Sequence, residues 1–130
     1  METALISLLL SADDVTARVG VAVRPQRRAQ TDGPDAIVLH RVSGVRDYRL
    51  SGASGLVQSR IQADCYGATY RACDETAAAL IAFLNGYSGT FEGVQFQRIE
   101  IDDERGTNET ESEGRHIFMK QVDLLIWHDE

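Results

Sequence analysis

Lysine occurs once, at position 120, and the chain has two cysteines, two prolines and one tryptophan among 130 residues. Each scarcity excludes something. Cys65 and Cys73 form no C-x-x-C, so they read as two reduced, buried thiols and not a redox pair. No apolar run approaches the ~20 residues that span a bilayer, so no membrane partner is expected. The apolar start "ALISLLL" lacks a basic flank and reads as an N-terminal helix, not a signal peptide. A surplus of positive charge is missing too: the net charge of −7 argues against a protein that coats DNA.

Catalytic and metal patterns are equally sparse. His40, His116 and His128 show neither HxH nor HExxH spacing. Asp102-Asp103-Glu104 lacks the alternating oxygen ligands and central glycine of an EF-hand, and reads as a solvated acidic loop. "GASGLVQS" is glycine-rich, but it leads into a strand, whereas a phosphate cradle needs the amides of a helix start. There is no G-x-S-x-G. The expectation is no catalytic residues, no metal and no cofactor.

What is present is an ordinary globular composition, 43% hydrophobic and 25% charged, in a length that suits one domain over residues 1–130. Charge is unevenly placed. Residues 1–60 hold eight basic and six acidic groups, and residues 61–130 hold five and fourteen. Arg24, Arg27 and Arg28 form one basic cluster, and Arg41, Arg46 and Arg49 another. Acids gather from Asp102 to Glu113. Arginine makes forked bonds to carboxylates, which suits fixed protein–protein contacts.

Periodicity predicts the order α–β–β–β–α–β–β. A helix over 2–11 has Ala4, Leu5, Leu8 and Leu9 on one stripe. A short helical turn follows, N-capped by Ser11 and ended by Gly20. Strands are expected at 21–25 and 36–44, the second apolar on both sides. A turn is expected at Gly52–Gly55, before a half-buried strand carrying Val57, Ser59, Ile61, Ala63 and Cys65 on one face. The helix that follows is N-capped by Thr69, with Tyr70, Cys73, Ala77, Leu80, Ile81 and Leu84 as its apolar stripe, and it stops at Asn85-Gly86. A short strand is expected at Thr90–Phe91 and a longer one from Val94 to Ile101, neither face of which is cleanly apolar, and 105–114 reads as a mobile loop or long hairpin tip. The last strand puts Phe118, Val122, Leu124 and Ile126 on one side, and Met119, Asp123, Leu125 and Trp127 on the other. The fold class is α+β: a mostly antiparallel sheet of about five strands, with an N-terminal helix and one long helix packed on one face.

"IVLHRVSG", "LSGASGLVQSRIQADCYGATY" with the helix after it, "DDERG" and the closing "VDLLIWHDE" resemble the tail-completion or tail-terminator proteins of long-tailed phages and gene transfer agents. The resemblance implies a homo-oligomeric ring, a hexamer, at the head-proximal end of the tail tube in the virion. It would be assembled in the host cytoplasm, stop tube polymerisation and meet head–tail connector proteins, with DNA only passing through its bore. A ring needs two different faces on each subunit. The expected contact joins Arg24, Arg27 and Arg28, or Arg46 and Arg49, of one copy to Asp102, Asp103, Glu104, Glu109, Glu111 and Glu113 of the next. Trp127 is a further interface candidate, since tryptophan is enriched in such contacts. Two alternatives stay open: a head-completion or neck connector protein, and a small cytosolic ligand-binding domain or enzyme.

Overall fold

The computed structural model describes residues 1–26, 35–49, 52–112 and 115–129, with side chains for 1–26, 35–44, 55–106 and 117–129. The elements are α1 (Glu2–Leu10), α2 (Asp13–Val19), β1 (Val23–Pro25), β2 (Ala36–Arg49), β3 (Gly52–Gly67), α3 (Tyr70–Leu84), β4 (Gly89–Phe91), β5 (Val94–Ser112) and β6 (Arg115–Asp129). The fold is α+β, as expected. The sheet has six strands where about five were expected, in the order β1-β2-β3-β6-β5-β4, and every pairing is antiparallel except β1 with β2. The short strand expected at Thr90–Phe91 is β4, Gly89–Phe91, joined to β5 through Glu92-Gly93, both at positive φ, the backbone a two-residue hairpin turn requires.

All three helices pack on one face. The core joins Leu5, Leu8 and Leu9 of α1, Val15 and Val19 of α2, and Ala77, Leu80 and Leu84 of α3 to Ile37, Leu39, Ile61, Ala63, Cys65, Val122, Leu124 and Ile126 of the sheet. Thr69 caps α3 as expected, its side chain accepting from the Ala72 amide at 3.0 Å. Gly67, at the end of β3, lets α3 approach closely: a Cβ there would lie 2.5 Å from the Cys73 nitrogen. Tyr70, expected in the apolar stripe, is 62% exposed. The helix meets the sheet at Cys73, and its first residue projects past that contact. Ser11 does not cap α2. Its hydroxyl donates back to the Leu8 carbonyl at the end of α1, and Ala12 precedes α2 without a side-chain cap. Gly20, at φ +61, ends α2 as expected.

Of the two readings of 105–114, the long hairpin tip is the one that the described residues match, and the turn expected at Gly52–Gly55 is strand. Residues 105–112 continue β5 and pair with β6 out to Ser112–Arg115, because backbone ladder bonds need no apolar side chains. Gly52 already belongs to β3, and Gly55, at φ +82, lies where the β2–β3 register shifts. The mixed faces of β5 have a cause. A register shift between Phe96 and Arg98 inserts one residue and resets the alternation, and two more shifts follow, between Ile101 and Asp103 and between Arg105 and Asn108. Phe96, Ile99 and Ile101 therefore share the core face despite their spacing.

β3 pairs with β6 only from Leu56–Asp129 to Gly67–Phe118. The β2–β3 hairpin continues beyond Leu56, and the β5–β6 hairpin continues beyond Phe118. Because β3 and β6 run antiparallel, the two hairpins overhang opposite ends of the sheet.

Candidate assembly surfaces

The sheet face away from the helices carries the alternate residues of each strand. A continuous polar chain crosses it. Arg105 of β5 grips Asp123 of β6 with both terminal nitrogens, at 2.6 and 2.9 Å, and donates from Nε to Gln121 at 2.8 Å. It also donates to Gln62 of β3 at 3.1 Å. Gln62 in turn donates to Asp64 at 2.9 Å, and the other Asp64 oxygen lies 3.0 Å from His40 Nε2 on β2. The bond to Asp123 raises the Arg105 pKa above its ordinary value. Asp64 is buried, and these two partners account for both of its oxygens. Leu125, Trp127 and Met119 lie half-buried on this same face, opposite the helices.

Three of the expected acidic residues have partners within the chain. Asp102 pairs with Arg60, Asp103 lies 3.7 Å from Arg105, and Glu104 lies 3.3 Å from Lys120, which also binds Asp74 of α3 at 2.9 Å. The bonds to Asp74 and Glu104 raise the Lys120 pKa. Arg24 stands in β1 and is engaged as well. Arg27, Arg28 and Glu113 lie outside the described residues, as do the side chains of Arg46 and Arg49 in β2 and of Glu109 and Glu111 in β5.

One pair that sequence reading missed is Ser59 with His128, 69 residues apart. His128 Nδ1 donates to the Asp129 carbonyl at 2.7 Å, so Nε2 accepts from the Ser59 hydroxyl, also at 2.7 Å. Arg41 donates to the same hydroxyl at 3.0 Å. Burial, then the Arg41 charge, pushes the His128 pKa below its ordinary value. Ser59 is fully buried and His128 nearly so, which makes this a hydrogen-bonded core pair with no room for a substrate carbonyl at the serine. Only register could have revealed it: Val57 lies opposite His128, and Ser59 is the next residue on that face. No group of three or more potential metal ligands occurs among the described residues, and no described helix is long and apolar enough to cross a membrane. Cys65 is fully buried, and that burial raises its thiol pKa well above the ordinary value.

The surfaces this fold offers are one polar sheet face, long strand edges and overhanging hairpins. The family model for tail completion protein gp17 matches residues 3–124, and the chain belongs to that family. It is a tail-completion structural protein. Among solved structures, a chain from the virion of a native gene transfer agent particle is similar over 100% of this chain and 95% of its own, at 13% identity and a TM-score of 0.76. A second solved chain is similar over 96% of this chain and 92% of its own, at 14% identity and a TM-score of 0.54. No curated protein matches the sequence.

Proposed function

We propose that this protein closes into a ring of six copies at the head-proximal end of a tail tube, ends tube polymerisation there, and presents its other side to the head–tail connector proteins. The observation that carries the reading is the family match over residues 3–124. The similarity to a chain of a gene transfer agent virion agrees with it. The hairpins agree too. One carries Arg46 and Arg49 and the other Glu109 and Glu111, and they overhang opposite ends of the sheet, so unlike parts of neighbouring copies are complementary. DNA passes through the bore without being held, consistent with a net charge of −7.

The test is native mass spectrometry with negative-stain imaging, followed by addition of tail-tube protein. The expected products are a closed species near 86 kDa, six times the 14.3 kDa chain, and tubes of capped length. Tubes that grow without limit in the presence of the protein would refute the capping role.

A further inference from the structure

We propose that neighbouring copies join by strand pairing, the outer edge of β2 in one copy adding to the outer edge of β5 in the next, so that the ring is one continuous sheet. This deepens the ring reading and rests on it.

Among the described residues both edges are long and largely without a pairing strand. β1 covers β2 only at Ile37–Leu39, where the Gln26 amide donates to the Leu39 carbonyl. β4 covers β5 only at Val94–Phe96, and Gly86 and Tyr87 complete the cover at Ile99. Among the described residues, no strand pairs with β2 over 40–49 or with β5 over 100–112 on their outer sides. Such edges present free N–H and C=O groups that template another strand.

Polarity and charge select the partner. Across β2-β3-β6-β5 each neighbour is antiparallel, so β5 of one copy beside β2 of an identically oriented copy is antiparallel as well. Residues 40–49 hold three arginines and one aspartate, while 100–112 hold six carboxylates and one arginine. Like edges repel and unlike edges attract, which favours a head-to-tail contact over a two-fold one. The open part of β2 lies toward one end of the sheet and that of β5 toward the other. Pairing them steps each copy along the strand direction, the stagger that a sheet needs in order to close on itself.

The experiment compares hydrogen exchange in the wild-type ring with that in subunits released by the double substitution R46E/R49E. Pairing predicts that amides over 40–49 and 100–112 exchange at least about tenfold more slowly in the ring. It also predicts that adding E109R/E111R to the released variant restores the ring. A ring in which both segments exchange as fast as in free subunits overturns edge pairing and leaves the ring reading standing. Failure of R46E/R49E to release subunits, or of the charge swap to restore them, overturns the pairing as well. A wild-type chain that forms no ring, alone or on tube tips, refutes the ring reading itself and the pairing with it.

Discussion

On the helix side of the sheet, Ile61, Ala63, Cys65, Val122, Leu124 and Ile126 are fully buried. On the other side Gln62, Asp64, Gln121 and Asp123 join Arg105 and His40 in a hydrogen-bonded chain four strands wide. The same backbone serves both faces, so the difference lies in what each offers a partner. The apolar face is satisfied within the chain by three helices. The polar face fixes its side chains to one another, which stiffens the strands that carry the overhanging hairpins. In the proposed ring, neighbouring copies would meet preset strand edges instead of ordering them on contact, which would lower the entropic cost of association.

The sharpest way to break this comparison uses two adjacent leucines of β6. Leu124→Ala removes a fully buried side chain and is expected to cost about 2–5 kcal/mol by denaturant unfolding. Leu125→Ala, half-buried on the polar face, is expected to cost about 0.5 kcal/mol. Equal costs would mean that the two faces do not differ in the way described. Next is Gly67→Ala, whose Cβ would press on the backbone of α3. A loss of about 1–3 kcal/mol is expected, and a neutral result would show that α3 shifts freely. Thr69→Ala removes the cap of the same helix, with an expected loss of about 1 kcal/mol in Tm-derived stability.

The smallest effect concerns pH. The fold holds His128 neutral, while the unfolded chain gains a proton below the ordinary value of 6.5. This contribution to stability is therefore full above that value and is lost as pH falls below it. Thermal melts from about pH 7.5 to about pH 5.5 should show a shallower decline for His128→Gln than for the wild type. Parallel curves would remove His128 from the explanation.

Much of the covered face was legible in the sequence, and the polar chain was not. The stripe Ala4, Leu5, Leu8 and Leu9, the inward set of β3 and the alternation of β6 all follow from side-chain period, which is a local property. In β5 the same reading found two mixed faces over 94–101, because the residue inserted between Phe96 and Arg98 turns the strand over and leaves no mark in composition. Arg105 read as part of a loop or hairpin tip, yet it ties β5 to β6 and β3 through residues up to 43 positions away.

Sequence by itself determined the helix periods, the Thr69 cap, the terminating Gly20, the uneven charge and the resemblance to tail-completion proteins, since each resides in neighbouring residues or in overall pattern. Only the tertiary structure decided that Ser59 meets His128, that Asp102, Asp103 and Glu104 have partners within the chain, and that the basic and acidic hairpins leave opposite ends of the sheet. The physical reason is register. Which residue lies opposite which is set by strand pairing across long stretches of chain, and a shift of one residue reverses every face.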